Sequence, residues 1–184
     1  MCIEVSFSLF WGYFGSVGTV EPPPQQEPCV NHAYAFDSYL CDTSSPCCTV
    51  SRAKERLAYH MVPSQGNDPV GPFPERRNAL LFGFGGPITS QYDVQAGVGV
   101  NITLPEHPLY NGSVTRSIFQ SGSQVRVKTV GAGCNYGWGA MSSVDMMALN
   151  TVAGYFAFTV EDNQLRGEMQ DCLGPAEPDP FWFF

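Results

Sequence analysis

Tyr155 to Met169, YFAFTVEDNQLRGEM, is the stretch on which the fold turns. Its first six residues are aromatic, β-branched or small, as on a pleated, half-buried surface. Glu161-Asp162-Asn163 supplies turn residues, and Gln164 to Met169 returns with mixed polar and apolar positions. Together they read as a β-hairpin. Upstream, Gln124-Val125-Arg126-Val127-Lys128-Thr129-Val130 alternates apolar and polar side chains strictly, and Gly131-Ala132-Gly133 ends the run. Such alternation marks a strand buried on one face. At least three antiparallel strands therefore occupy the last third of the chain.

Working outward, Tyr34-Ala35-Phe36-Asp37 reads as a short strand. Ser51 to Tyr59, SRAKERLAY, reads as a helix capped by its Ser, and Glu75 to Phe82, ERRNALLF, as a second short helix closed by Gly83. Nineteen glycines and fifteen prolines punctuate the chain too often for long helices, and no window keeps a 3.6-residue apolar period over several turns. The expectation is a mainly β (α+β) protein: layered antiparallel or mixed sheets with two short helices, stapled by disulfides. The alternative is a single β-sandwich or barrel.

One domain is expected from 184 residues, spanning 29–174. Before it, residues 1–28 comprise an apolar segment and the Pro-rich spacer EPPPQQEP; after it, 175–184 is an aromatic tail. The apolar segment has Glu4 and no Lys or Arg, and glycines interrupt it, which argues against a membrane span. Nine basic against seventeen acidic residues give a formal charge of -8, which excludes the basic footprint of a nucleic-acid binder.

Seven cysteines point to an oxidising compartment. Cys29, Cys41, Cys47, Cys48, Cys134 and Cys172 form an even set without Cys2, with a preference for Cys134 bonding Cys172 and two bridges inside the early cluster. Gln91 to Val114 carries two acceptor patterns for N-linked sugar, at Asn101 and Asn111. The chain reads as secreted, with an unknown protein or glycan as partner. Tyr136 and Trp138, in Cys134-Asn135-Tyr136-Gly137-Trp138, offer aromatic faces to a sugar or organic ligand, or else pack in the core.

The order of these features resembles the carboxyl-terminal half of purple acid phosphatases and related secreted metallophosphoesterases. Tyr34-Ala35-Phe36-Asp37, the helix at Ser51 to Tyr59, His60-Met61-Val62-Pro63, Glu75 to Phe82, Asp93-Val94-Gln95-Ala96-Gly97, Val130-Gly131-Ala132-Gly133 and Tyr155 to Met169 stand in that family's sequence of parts, over roughly residues 30 to 172. The resemblance implies a two-metal phosphomonoester hydrolase. Its metal motif is degraded here: Gly97-Val98-Gly99-Val100 fills the place of Gly-His-x-His, and no Gly-Asp-x-x-Tyr occurs.

What remains as metal ligands is His60 and Asn31. Any further ligands would come from His32, Asp37 and His107. The expectation is a metallophosphoesterase-like domain that binds or scaffolds rather than hydrolyses. It has no catalytic residue and no cofactor, or at most one weakly held divalent metal near His60, and His60→Ala should change stability little. The alternative is an unrelated secreted, β-rich, disulfide-stapled binding or structural module.

Overall fold

The alternation at 124–130 does form a strand, and the strand runs past the glycines expected to end it. In the computed structural model, which describes residues 29–66, 68–81 and 84–171, the elements in chain order are β1 (Val30–Asp42), α1 (Val50–Leu57), β2 (Glu75–Leu81), β3 (Phe84–Asp93), β4 (Val98–Thr103), β5 (Gly112–Ser121), β6 (Gln124–Asn135) and α2 (Ser143–Gln170). The strands make one six-stranded antiparallel sheet ordered β1-β6-β5-β4-β3-β2. The long helix α2 packs on one face, mainly against β1 and β6. The protein is thus β-rich and α+β, as expected, with one long helix in place of the second short one.

The hairpin expected at Tyr155 to Met169 is helix. Buried residues along α2 fall at 146, 150, 153, 154, 157, 158, 161, 162, 165, 168 and 169, a 3.6-residue stripe. That stripe carries Asn150, Glu161, Asp162 and Glu168, whereas Val144, Val152 and Tyr155 face outward, Val152 at 69% exposure. Apolar character is therefore not segregated to one face, which hides the helical period from a hydrophobicity reading. Ser142 starts the helix: its Oγ accepts from Asp145 N while Asp145 returns to the Ser142 amide, a capping box.

The helix expected at Glu75 to Phe82 is strand β2, paired residue by residue with β3 from Glu75–Ser90 to Leu81–Phe84. Good helix formers are overridden by an open sheet edge, and residues 75, 77 and 79 turn half-buried while 76, 78 and 80 face solvent. Phe82 and Gly83 lie outside the described residues. The helix expected at Ser51 to Tyr59 is present as α1 with a 3-10 turn at Ala58–His60, but its cap is Thr49, whose Oγ1 accepts from Arg52 N at 3.1 Å.

Inside the sheet, β5 and β6 join through a two-residue loop in which Gly122 takes φ +59, a backbone twist that suits a tight hairpin. A register shift on β1 between Tyr39 and Cys41 lets Leu40 and Cys41 both enter the core. That core gathers at one end: Leu40, Val125, Val127 and Ile118 of the sheet meet Ala53 and Leu57 of α1 and Leu165 and Met169 of α2.

Cys41–Cys48 closes the loop between β1 and α1, and Cys29–Cys134 ties the start of β1 to the end of β6. The expected Cys134–Cys172 pairing is thus replaced, because Cys29 stands beside Cys134 across the Val30–Asn135 strand pair. Cys47 is also disulfide-bonded. Cys2, Cys172, the amino-terminal segment and the aromatic tail lie outside the described residues. No helix among the described residues is long and apolar enough to cross a membrane.

Candidate functional site

Alternation in β5 places Val114, Arg116 and Ile118 on the face toward α2, so a guanidinium is carried into the interior. Arg116 is fully buried and every nitrogen is engaged. Nε donates to Thr129 Oγ1 at 3.3 Å, one terminal nitrogen donates to the His60 carbonyl, and the other donates to Asp162 of α2. The Phe158 ring lies 5.0 Å from the guanidinium carbon. Ser38 donates to the second Asp162 oxygen at 2.6 Å. Burial pushes the Asp162 carboxyl up from its ordinary value, against the opposing pull of Arg116 and Ser38.

His60 ends the 3-10 turn after α1 and points at α2. Its Nδ1 lies 3.0 Å from Glu161 and its Nε2 3.2 Å from Glu168, two carboxylates seven residues apart on one helix face. Burial alone would lower this imidazole; hydrogen bonds and charge from the two glutamates outweigh it, and His60 is held above the ordinary value. Glu161 also accepts from Ser64 N at 3.1 Å. The clamp therefore fastens the loop after α1 to the long helix.

At the far end, β1 presents His32 and Tyr34 inward beside Asn135 of β6. The Tyr34 ring reaches from the sheet to the helix because Gly131 and Gly154 leave room: a Cβ at either would collide with the phenol. His32, Tyr34 and Phe36 form a ladder of near-parallel rings 6.4 and 6.3 Å apart, with Tyr155 tilted against Phe36 at 4.7 Å. Two buried polar atoms here, Tyr34 Oη and Asn135 Nδ2, have no hydrogen-bond partner, while the His32 ring hydrogen-bonds the Asn135 side chain. Asn135 Oδ1 accepts from Asn150 of α2 at 3.4 Å. Burial lowers His32, the Asn135 side chain offsetting part of that, and burial pushes the Tyr34 phenol up to about 12 against the pull of Arg116. Both groups are neutral at pH 7.

The residues singled out in the sequence scatter. Asn31 is exposed on the outer face of β1, whereas His60 is buried on the α2 side, so the two cannot share a metal. Among the described residues no group of three or more His, Cys, Asp or Glu is placed to hold a metal ion. Asp37 faces outward and pairs with Arg126, and buried His107 accepts from Leu109 N at 3.0 Å. Tyr136 and Trp138 sit half-buried in the loop before α2, where Trp138 bridges to Met141.

Asn101 is buried, its amide donating to the Met61 carbonyl and its oxygen accepting from Ser90 at 2.8 Å. The fold leaves no room for a sugar there. Asn111 is exposed and borders an open groove of about 380 Å3 on the outer face with Asn31, Ser113 and Ala132. A second open groove, about 430 Å3, lies between α1 and the β3–β4 turn at Lys54, Val94 and Gln95. Neither is lined by His32, Tyr34, Arg116 or Asn135.

The sequence reading missed Tyr34, Arg116, Asn135, Glu161, Asp162 and Glu168 as interior residues. Two signals were present: Arg116 stands between Val114 and Ile118 on the apolar phase of a strand, and Glu161 and Glu168 are spaced by two helical turns.

No family model matches the chain, and no curated protein does. Solved structures do. The chain is similar to the Zhui aromatase/cyclase from Streptomyces sp. R1128, at 13% identity and TM-score 0.52 over 77% of this chain and 94% of that one. It is also similar to the di-domain ARO/CYC StfQ from the steffimycin biosynthetic pathway, at 10% identity and TM-score 0.50 over 77% of this chain and 51% of that one. These likenesses overturn the resemblance to purple acid phosphatases and with it the metallophosphoesterase reading. The parts matched in order, but Glu75 to Leu81 and Tyr155 to Met169 have the opposite secondary structure from the one that resemblance needs. The alternative reading, a β-rich binding module unrelated to phosphoesterases, agrees better: one antiparallel sheet gripping a long carboxyl-terminal helix, a helix-grip-like fold.

Proposed function

We propose that this chain is a small-molecule-binding module that holds its ligand between the sheet and α2, at the end lined by His32, Tyr34 and Asn135. One observation carries the reading: two inward-facing buried polar atoms, Tyr34 Oη on β1 and Asn135 Nδ2 on β6, lack any partner. Buried polar groups are nearly always hydrogen-bonded, and a set left open together is what a ligand or ordered water satisfies. The similar structures are aromatase/cyclases by name, but catalysis is not carried over. Both His60 nitrogens and all Arg116 nitrogens are occupied by protein groups, leaving neither as a poised acid or base.

The test is thermal unfolding of the disulfide-intact protein against a panel of small organic molecules. A ligand at 100 times its Kd adds about 2.7 kcal/mol, several degrees in Tm, and should move the NMR signals of Tyr34 and Asn135. A panel without stabilisation, or binding that leaves those signals still, sinks the reading.

The compartment is read as extracellular, supported by the two bridges among the described residues and by exposed Asn111. Material from a eukaryotic secretory host should lose mass on glycosidase treatment, with the sugar mapped to Asn111 and none on Asn101. An unshifted mass counts against it.

A further inference from the structure

Cys47 is disulfide-bonded, yet the other described cysteines have partners of their own: Cys29 bonds Cys134 and Cys41 bonds Cys48. With seven cysteines in the sequence, what is left for Cys47 is Cys2 or Cys172. The last turns of α2 decide between them. Leu165 and Met169 belong to the same core cluster as Leu40, Cys41 and Cys48. From those turns Arg166 Nε donates to the Tyr39 carbonyl at 3.0 Å, and Gln170 Nε2 donates to the Leu40 carbonyl, next to Cys41, at 3.2 Å. Cys172 follows Gln170 by two residues, a reach of about 7.6 Å. Cys47 adjoins Cys48, whose Cα stands 5.7 Å from that of Cys41. A chain leaving α2 at Asp171 therefore starts beside the loop that carries Cys47, within range of the roughly 4.4–6.8 Å that a disulfide spans between Cα atoms. Cys2 has farther to come. It precedes Cys29 by 27 residues, and Cys29 is fixed to Cys134 at the opposite end of β1, whose 13 residues span about 40 Å. Closing that loop costs more chain entropy than joining groups that the core already holds together.

We infer that Cys47 is bonded to Cys172, a bridge that latches the carboxyl end of α2 to the loop between β1 and α1. The two thiols lose two protons and two electrons to an exchanging disulfide of an oxidising compartment, which is reduced to two thiols in turn. Adjacent cysteines then fasten the approach to α1 to both layers: Cys48 to β1, and Cys47 to the chain that follows α2. The latch falls where α2 has no stop signal of its own, since its last turn holds no basic residue and its cap is Asp171 rather than a left-handed glycine. Glu168, which meets His60 Nε2, stands one helical turn before Cys172, so the same latch steadies the His60 clamp. Cys2 is then the odd cysteine of the seven.

Trypsin separates the two candidates, because its first cleavage falls after Arg52 and its last after Arg166. Peptide 1–52 carries Cys2, Cys29, Cys41, Cys47 and Cys48, peptide 129–166 carries Cys134, and peptide 167–184 carries Cys172. The full chain from an oxidising host is denatured in urea with iodoacetamide, digested without reduction and read by mass spectrometry. In wild type, 167–184 should be joined to 1–52 and carry no label; in Cys47→Ser it should come free and labelled. Release of labelled 167–184 from wild type overturns the bridge, and so does a 167–184 that stays joined to 1–52 in Cys47→Ser or is joined to 129–166 alone. Hydrogen exchange then reads the latch itself. Amides of 165–170 should exchange roughly tenfold faster or more in Cys47→Ser and in Cys172→Ser than in wild type, and at the wild-type rate in Cys2→Ser. Equal exchange in wild type and Cys172→Ser overturns the latch, as does a Cys2→Ser variant that loosens the same turn.

Discussion

Arg116 and Asp162 are the pair on which the interior depends, since both are buried almost completely, at 0% and 1% exposure. Removing one partner strands the other charge, so Asp162→Asn should cost about 3–5 kcal/mol in urea unfolding, while Arg116→Met with Asp162→Leu together should cost less than that single change. A double variant less stable than Asp162→Asn would show that the pair itself, rather than the stranded charge, matters. The histidines give a second prediction, with opposite signs. His107 titrates at 6.5 in the unfolded chain and at about 4 in the fold because burial disfavours its charged form. Between those values only the unfolded chain takes up the proton, so stability falls by about 3 kcal/mol as pH drops from 6.5 toward 4. His60 is held above 6.5 by its glutamates. Its contribution is whole below 6.5 and disappears as pH rises through its folded value. Proton NMR should find His107 titrating far to the acid side and His60 to the alkaline side of 6.5; a common midpoint near 6.5 would refute both. His60→Ala should therefore destabilise the protein, against the expectation from the sequence, because it removes the group that bridges Glu161 and Glu168.

At the scale of elements, α2 is stable as a helix because of what it packs against, not because its sequence is sorted into faces. Two glycines within it make the point. Alanine in place of glycine inside a helix ordinarily gains about 0.5–1 kcal/mol. At Gly167 nothing lies within 4 Å of the added carbon, and Gly167→Ala should show that gain in chemical denaturation. At Gly154 the added carbon runs into the Tyr34 phenol, so Gly154→Ala should destabilise by about 1–3 kcal/mol despite its better propensity. Equal effects at the two sites would mean that Tyr34 does not pack across the gap. The same dependence on neighbours made ERRNALLF a strand: its helix propensity is worth tenths of a kcal/mol per residue, less than the ladder with β3 and the burial of alternate side chains supply.

For the whole molecule, the bridges differ in what they constrain. Cys29–Cys134 closes a separation of 105 residues and Cys41–Cys48 one of 7. In the chain-entropy account, losing the first costs about 5 kcal/mol and losing the second about 2. Paired Cys→Ala variants should rank in that order in denaturant midpoint; the reverse order would place the effect in local strain rather than in the unfolded chain. The long bridge also pins β1 against β6 beside the unpartnered polar corner, so its loss should weaken ligand stabilisation as well.

Strand β6 and helix α1 were legible because their signals are local: strict alternation at 124–130, and good helix formers at 51–59, although the cap is Thr49 rather than Ser51. The β-rich class, the disulfides and the lack of a basic footprint followed from composition and cysteine count in the same way. The long helix and the polar interior were not legible, because both arise from pairs far apart in sequence. Glu161 and Asp162 look like turn residues until His60 and Arg116, 101 and 46 positions away, stand opposite them. Thus the sequence by itself determined where side chains alternate and which cysteines were at hand, since those depend on neighbours along the chain. Only the tertiary structure decided which strands pair, which face of α2 is buried, and which polar atoms are left without a partner, since burial reverses the preference of a charged side chain once another charge is there to meet it.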